Sequence, residues 1–319
     1  MIIFLQITGG LALLLIGGET LVRGATRVAT RFGLSRLIVG MVIAGFGTSL
    51  PEVVVSVRAV LADGPGLAAG NVVGSNIANI LLILAIAALV RPIDAARRRL
   101  EPEGIVLIVV TVGFVFLGLQ GALPRWQGAL MIALLLTLVT LKLRQDRMAE
   151  RLRRANSDIV ETVAPIPVRA WPTLALVAVG LVALPLGAEF FVQGAVQLAL
   201  ALGVSNFLIG LSIVAVGTSL PELATSSIAA FRGEATIGYG NIVGSNLFNL
   251  LGVFGIATLV GEMNVPPILA YIDGPVMILA TAIMLWFLAS RSRLTRGEAA
   301  LMLCGYVGYV TARYIYALN

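Results

Sequence analysis

The sequence predicts an all-α polytopic membrane protein with ten transmembrane helices, arranged as two inverted five-helix repeats. Four observations lead to this prediction. Of the 319 residues, 59% are hydrophobic and 12% are charged, with a mean hydropathy of +1.00. Several runs reach the roughly 18–20 apolar residues that a helix needs to cross a bilayer. A polar motif containing a glutamate occurs twice, and the basic residues lie on alternate connections between the apolar runs.

The apolar runs divide the chain into two groups of five predicted spans. Their predicted edges are 2–20, 37–60, 68–90, 104–119, 127–143, 172–192, 207–231, 236–260, 268–289 and 298–316. The first repeat covers residues 1–143, with its core at 37–90, and the second covers 171–319, with its core at 207–260. Between them, the charged stretch 144–170 predicts a cytoplasmic basic linker that is too short for a folded domain.

The basic residues predict the orientation of the chain. Most of the 22 lysines and arginines follow odd-numbered spans, as Arg23, Arg27, Arg31 and Arg36 follow the first. Because connections rich in Lys and Arg stay in the cytoplasm, both termini are expected on the other side of the membrane. The arginines are therefore interpreted as topology signals and not as a nucleic-acid surface. The N-terminus lacks the basic region of a cleaved signal peptide, so the first span is expected to be retained.

The composition argues against an enzyme and against a channel. The chain contains no histidine and one cysteine, Cys304, which lies in an apolar run. The commonest proton shuttle and transition-metal ligand is therefore missing, and no cofactor is expected. A channel would require a ring of charges or a repeated filter sequence, and neither is visible.

Sliding the chain against itself until Gly47 falls on Gly217 aligns two polar motifs with their own copies. Gly-Thr-Ser-Leu-Pro-Glu occupies 47–52 and 217–222, and Gly-Asn-x-Val-Gly-Ser-Asn-x-x-Asn occupies 70–79 and 240–249. Because each copy belongs to a group of five spans, an odd number, the second copy enters the membrane in the opposite sense. Inverted repeats recur in secondary transporters, which bind their substrates near the midplane between the repeats.

The first motif places a proline and a carboxylate inside an apolar span, where each is costly. We expect the helix to break around Thr48, which would free backbone carbonyls to act as ligands. The candidate ligands are two carbonyls, four hydroxyls and two carboxylates: Gly45, Ala215, Thr48, Ser49, Thr218, Ser219, Glu52 and Glu222. Two carboxylates among neutral oxygens suit one Ca²⁺, which favours six to eight oxygen ligands, and the same oxygens could serve Na⁺.

The second motif is too polar for a helix that faces lipid. Ser75 and Asn79 lie one turn apart on one face, as do Ser245 and Asn249. These four side chains either contact the ion or support a broken helix through hydrogen bonds. A structural role is favoured for the four remaining asparagines of the two copies: Asn71, Asn76, Asn241 and Asn246.

Two further carboxylates, Glu19 and Glu189, occupy equivalent positions in the first and sixth spans. Glu19 lies four residues before Arg23, a spacing that favours an ion pair on one helix face. Glu189 has no arginine at that spacing, which leaves open a role as a carboxylate on the outer path of incoming ions.

These motifs closely resemble the two α-repeats of the sodium/calcium exchanger family, within the cation/calcium antiporter superfamily. The resemblance covers essentially the whole chain and implies a compact prokaryotic member in the inner membrane. It implies that Glu52 and Glu222 share the calcium ion, with Thr48, Thr218 and the carbonyls of Gly45 and Ala215 as further ligands. Flanking sodium sites would be lined by four serines, with two asparagines at the centre: Ser49, Ser75, Ser219, Ser245, Asn79 and Asn249.

The resemblance also implies partners and a transport cycle. Ca²⁺ and Na⁺ would be transported without a cofactor, the lipid bilayer would surround the protein, and a monomer would suffice. The first and sixth spans would slide across the core to alternate access. Potassium-dependent exchangers carry aspartate where this chain has Asn249, which disfavours potassium coupling. The Gly-Asn-x-x-Glu pattern of proton/calcium exchangers is also missing. Adjacent carboxylates can nevertheless take up protons, so antiport of H⁺ against Ca²⁺ or another divalent cation is the alternative.

Overall fold

The computed structural model describes residues 2–94, 101–155, 170–203, 215–291 and 293–318. In these ranges the chain forms helices and two very short sheets. Seven of the described helices are long and apolar enough to cross a membrane, and a shorter apolar helix covers Pro102–Gly118. This is the architecture expected of an integral, multi-pass membrane protein.

The described helices are numbered here in chain order. The first half contains α1, Ile2–Phe32; α2, made of Arg36–Val39, a π-helical turn Gly40–Gly45, Phe46–Thr48 and Leu50–Leu61; α3, made of Pro65–Ala78, a π-helical turn Asn79–Leu84 and Ala85–Val90; α4, Glu101–Gly118; and α5, Arg125–Ala155. The second half contains α6, Ala170–Ala201; α7, made of Ala215–Gly217 and Leu220–Phe231; α8, made of Ala235–Leu247, a π-helical turn Phe248–Val253 and Phe254–Val260; α9, made of a π-helical turn Leu269–Asp273 and Gly274–Arg291; and α10, Arg296–Leu318. Residues 207–214 of the predicted seventh span and 156–169 of the predicted linker lie outside the described residues.

Three helices extend beyond the apolar runs that predict the first, fifth and sixth spans. The first predicted span, 2–20, is part of a helix that continues to Phe32. Three arginines placed by the sequence in a loop therefore lie on this helix: Arg23, Arg27 and Arg31. Likewise, α5 continues to Ala155, so the first part of the predicted linker is helical. The hydropathy of the sequence indicates where a helix leaves the lipid. The helix itself continues until the chain reaches residues that end it, such as glycine.

Glycines at equivalent positions end α1 and α6. Gly33 has a φ of 61°, in the left-handed region that glycine adopts without strain, and Gly203 has a φ of 80°. After Gly33 the chain turns so that the Leu34 N–H donates to the Ala29 carbonyl at 3.0 Å. This is the hydrogen bond of a Schellman cap, which satisfies a carbonyl of the last helical turn.

Glycines also set the packing of α1 against α6. A Cβ on Gly187 would lie 2.9 Å from the carbonyl oxygen of Gly10, and one on Gly180 would lie 2.9 Å from that of Gly17. Residue numbers rise along α1 as they fall along α6, so the two helices are antiparallel. Since small residues let helix backbones approach closely, these glycines join α1 and α6 to each other.

Two short antiparallel sheets connect the first half to the second. Ile93 pairs with Leu294 in one sheet, and Leu123 pairs with Met263 in the other. All four side chains are buried. The strands are β1, Ile93–Asp94; β2, Ala122–Leu123; β3, Met263–Asn264; and β4, Arg293–Leu294. Strands β1 and β3 occupy equivalent positions in the two halves, because the alignment that relates the motif copies also places Ile93 on Met263.

An ion pair with a buried carboxylate joins the fourth and fifth helices of each half. Lys142 Nζ of α5 lies 3.0 Å from Glu103 Oε1 of α4, and Arg313 Nε of α10 lies 3.0 Å from Asp273 Oδ1 of α9. Tyr309 Oη donates a hydrogen bond to the same Asp273 oxygen at 2.8 Å. Neither pair was predicted from the sequence: the alignment of the two halves places Glu103 on Asp273, but it does not align Lys142 with Arg313.

The second pair allows a prediction about stability. The Asp273 side chain is 1% exposed, so Asp273→Asn leaves Arg313 without its counter-charge in a low-dielectric interior. Breaking such a pair costs about 3–5 kcal/mol, and we expect the lower end because Arg313 is partly exposed. Chemical unfolding of the purified protein in detergent measures the loss. The control is Glu262→Gln, at an exposed carboxylate, and equal stability of the two variants would contradict the prediction.

Candidate ion-binding site

The first motif lies at the interruptions of α2 and α7. In α2, Ser49 has φ −86° and ψ 9° and separates Phe46–Thr48 from Leu50–Leu61. In α7, Ser219 has φ −92° and ψ 8° and precedes Leu220–Phe231. In each case a proline stands at the start of the new helix, where its missing N–H needs no partner. The predicted break in the second span is confirmed, and its counterpart in α7 has the same geometry.

Each break places a glutamate in the first turn of the following helix. Glu52 occupies this position in α2 and Glu222 in α7. Both residues are 0% exposed, and Ser49, three residues before Glu52, contacts the Glu222 carboxylate. The fold therefore brings together two carboxylates from equivalent positions in the two halves of the chain.

Hydroxyl and carbonyl groups from both halves surround the Glu222 carboxylate. Ser49 Oγ donates to Glu222 Oε1 at 2.9 Å. Ser245 Oγ lies 3.4 Å from the same oxygen and 3.0 Å from the Gly45 carbonyl oxygen. Thr48 Oγ1 is 3.3 Å from Ser245 Oγ. Five of the predicted site residues thus form one continuous cluster that includes oxygens from α2, α7 and α8.

Close backbone approach between α2 and α8 makes this cluster possible. A Cβ on Gly45 would lie 2.7 Å from the backbone nitrogen of Ser245, and one on Gly244 would lie 2.2 Å from the Met41 carbonyl oxygen. Only glycine fits at these two positions without a shift of the helices. The approach is what brings the Gly45 carbonyl to the Ser245 hydroxyl.

Several buried oxygens at predicted site residues have no hydrogen-bond partner among the described residues. They are both carboxylate oxygens of Glu52, Oε2 of Glu222, Oγ1 of Thr218, Oγ of Ser219, and Oδ1 of Asn79 and Asn249. Buried polar atoms, and carboxylates above all, are costly when they are left unpaired. A hard cation with many oxygen ligands would satisfy them together.

The remaining predicted residues lie on α3, α7 and α8. Asn79 Nδ2 donates to Asn246 Oδ1 at 3.0 Å, which connects α3 to α8. Ser75 and Asn249 are buried, and Ala215 begins the short helix Ala215–Gly217. Asn79 opens one π-helical turn and Asn249 lies in another. Such turns are frequent at functional sites.

Two asparagines of the second motif support the broken helices. Asn71 Nδ2 donates to Ser56 Oγ at 3.0 Å and lies 3.4 Å from the Glu52 carbonyl oxygen. In the other half, Asn241 Nδ2 is 2.9 Å from Ser226 Oγ and 3.4 Å from the carbonyl oxygen of the second glutamate. These hydrogen bonds agree with the structural role that the sequence favoured for the two asparagines. Their serine partners were not predicted, although both serines lie at the same spacing from the glutamates.

Glu19 and Glu189 differ in their surroundings. Glu19 forms the predicted ion pair with Arg23 of the same helix and a second one with Arg232, at the end of α7. Glu189 accepts a hydrogen bond from Gln193 Nε2 at 3.2 Å. The sequence predicted the first of these contacts but not the one between α1 and α7.

The apolar helices and the two buried carboxylates at helix breaks define the protein as a membrane protein of the ion-transporter class. The family model for the sodium/calcium exchanger protein matches residues 2–144 and 172–315. The chain belongs to the sodium/calcium exchanger family.

Similarity to individual proteins extends along nearly the whole chain. The chain is 35% identical to the inner membrane protein YrbG of Escherichia coli strain K12, over 96% of this chain and 94% of YrbG. It is 27% identical to the sodium/calcium exchanger MaX1 of Methanosarcina acetivorans, over 98% of each chain. A solved structure of the sodium-calcium exchanger NCX_Mj aligns with a TM-score of 0.84 at 28% identity, covering 97% of this chain and 98% of the other. These matches confirm the family that the motifs predicted, and they indicate a transporter and not an enzyme.

Proposed function

We propose that the protein exchanges Ca²⁺ for Na⁺ across the membrane by alternating access. The observation that carries this proposal is the pair of fully buried carboxylates, Glu52 and Glu222, with unpaired oxygens at opposed helix breaks. The proposed ion ligands are the residues predicted from the sequence: Gly45, Thr48, Ser49, Glu52, Ser75, Asn79, Ala215, Thr218, Ser219, Glu222, Ser245 and Asn249.

The two glutamates explain why the site would take a divalent cation. Their combined charge of −2 is neutralised by one Ca²⁺, and the surrounding hydroxyl and carbonyl oxygens complete a coordination shell of hard ligands. Without a cation, the two carboxylates repel each other in an interior that screens charge poorly. The loaded site is therefore more stable than the empty one.

Exchange follows if Na⁺ uses the same oxygens. Ser49 and Ser245 both lie within hydrogen-bond distance of Glu222 Oε1, so sodium ions held by these hydroxyls would share the carboxylate with calcium. Each ion would then bind at the expense of the other, which is negative coupling between two ligands. Loading one side with sodium would drive calcium to leave there.

We further propose ten transmembrane helices in two inverted five-helix repeats, 1–143 and 171–319, with 144–170 as a cytoplasmic linker and both termini outside. The equivalent strands, ion pairs and glycine helix ends of the two halves support the repeats. The excess of basic residues after odd-numbered spans supports the orientation. The similarity to YrbG supports an inner-membrane location.

Reconstituted liposomes test the proposed exchange. Vesicles loaded with Na⁺ and diluted into sodium-free buffer should take up radioactive Ca²⁺, whereas matched vesicles without the sodium gradient should not. A third set with only a pH gradient, acidic inside, tests proton coupling. Uptake driven by protons alone would replace sodium by H⁺ as the coupling ion, and uptake that needs no gradient of either ion would contradict antiport.

A further inference from the structure

The two halves of the molecule differ in how α1 and α6 meet the broken helices. On α7, Leu220 and Ala224 pack against an apolar cluster that consists mainly of α1 and α6 residues and also includes Ala44 of α2. Their counterparts on α2, in the alignment of the two halves, are Leu50 and Val54, which are 50% and 49% exposed. The α1–α6 pair therefore covers these two positions on α7, while the equivalent positions on α2, which follow its helix break, are half exposed.

The contact between α1 and α7 is close. A Cβ on Gly18 would lie 2.5 Å from Ile228 Cδ1 and 3.3 Å from the Ala224 carbonyl oxygen. These three residues lie in the part of α7 and α1 that runs from the site towards the proposed cytoplasmic side. The contact between α1 and α7 therefore lies on the proposed cytoplasmic side of the ion site.

An ion pair lies at the end of this contact. The Arg232 guanidinium, just after α7, donates through Nε and Nη2 to the two carboxylate oxygens of Glu19 on α1. Arg23 pairs with the same carboxylate from within α1. A bidentate arginine–carboxylate pair has a defined geometry as well as charge attraction, so it holds the two helices in one relative position.

The sequence provides this ion pair in one half only. Glu19 has the counterpart Glu189, but Arg23 corresponds to Gln193 and Arg232 corresponds to Ala62. Glu189 accepts a hydrogen bond from Gln193 and has no arginine at either equivalent position. If α6 packed on α2 in the way that α1 packs on α7, no equivalent arginine–glutamate ion pair would form.

From this asymmetry we infer that the Glu19–Arg232 pair is a latch that holds α1 on α7 and favours the state in which the ion site is closed to the cytoplasm and open to the outside. The inference rests on the proposed inverted-repeat antiport. In a transporter of two identical inverted repeats, the inward-open and outward-open states would have equal free energy. A contact that forms in only one of them shifts the population towards that state. Glu19 and Arg232 are positioning residues that act on access to the site and do not bind the transported ions.

Two cysteine reporters measure the shift. Val54→Cys lies on the uncovered face of α2, and Ile228→Cys lies in the contact between α1 and α7; each is built in a Cys304→Ser background. The rate of reaction with N-ethylmaleimide is measured on the full-length protein in detergent with Na⁺ and without Ca²⁺. Because the thiol must be uncovered to react, each rate follows the population of the state that exposes it.

Arg232→Gln should raise the rate at Ile228→Cys about two- to fivefold, the range expected for losing a partly exposed ion pair. The rate at Val54→Cys should fall in the same protein. The matched control is Arg27→Gln, which removes an exposed arginine of α1, one turn after Arg23, and should change neither rate. A rise at both cysteines, no change at Ile228→Cys, or the same changes in the control would overturn the inference.

A second variant builds the missing pair on the other side. Ala62→Arg with Gln193→Arg supplies Glu189 with both arginines, so it should lower the rate at Val54→Cys and raise it at Ile228→Cys even with the native latch intact. An unchanged pair of rates would count against the inference. Cysteine reactivity does not require transport. If the cysteine rates do not change as expected but sodium drives calcium uptake, the latch is wrong and the proposed function is retained. If sodium drives no uptake, the proposed function itself is wrong.

Discussion

Glu52→Gln and Glu222→Gln are each expected to lower sodium-driven calcium uptake by about a hundredfold or more, equivalent to about 2.7 kcal/mol. Glutamine keeps the size of the side chain but removes one of the two negative charges that neutralise Ca²⁺. Both carboxylates are fully buried, so water cannot compensate for the lost negative charge. Initial rates of radioactive calcium uptake into liposomes, at several calcium concentrations, measure the effect.

The control for these variants is Glu262→Gln, which makes the same chemical change at an exposed carboxylate. It should retain uptake. The equilibrium binding of Ca²⁺ to the purified variants separates loss of binding from loss of movement. If uptake stayed near the level of the unmodified protein in either site variant, the assignment of that glutamate as an ion ligand would be wrong.

Gly244→Ala is expected to reduce calcium uptake at least about tenfold and to weaken calcium binding. The new Cβ would lie 2.2 Å from the Met41 carbonyl oxygen, so α2 and α8 must move apart. Overpacking that shifts side chains and backbone in this way typically costs about 1–3 kcal/mol. The movement would draw the Gly45 carbonyl away from Ser245 and distort the cluster around Glu222.

Gly113→Ala is the matched control for this prediction. Gly113 lies on α4, and no described atom would lie within 4 Å of its new Cβ. Alanine also has a higher helix propensity than glycine, so this variant should fold and transport at least as well as the original protein. Equal uptake by the two alanine variants would show that close approach of α2 and α8 is not required.

The candidate site was largely predictable because its residues are anomalous for their surroundings. A glutamate and a proline in an apolar span, or an asparagine beside glycines, are each visible from residue type alone. The pairing of the two glutamates followed from the repeat. Partners from other elements were less predictable: Asn79 contacts Asn246, and Ser49 contacts Glu222, across 167 and 173 residues of sequence.

The sequence by itself determined the membrane class, the duplicated motif, the helix breaks and the two carboxylates, because each is a local departure from what lipid-embedded helix tolerates. Only the tertiary structure decided the contacts between distant elements. The ion pairs Glu103–Lys142 and Asp273–Arg313 and the contact of Glu19 with Arg232 depend on how whole helices are placed. Hydropathy and residue spacing describe one helix at a time. They therefore cannot predict an interaction between residues that are 213 positions apart in the sequence.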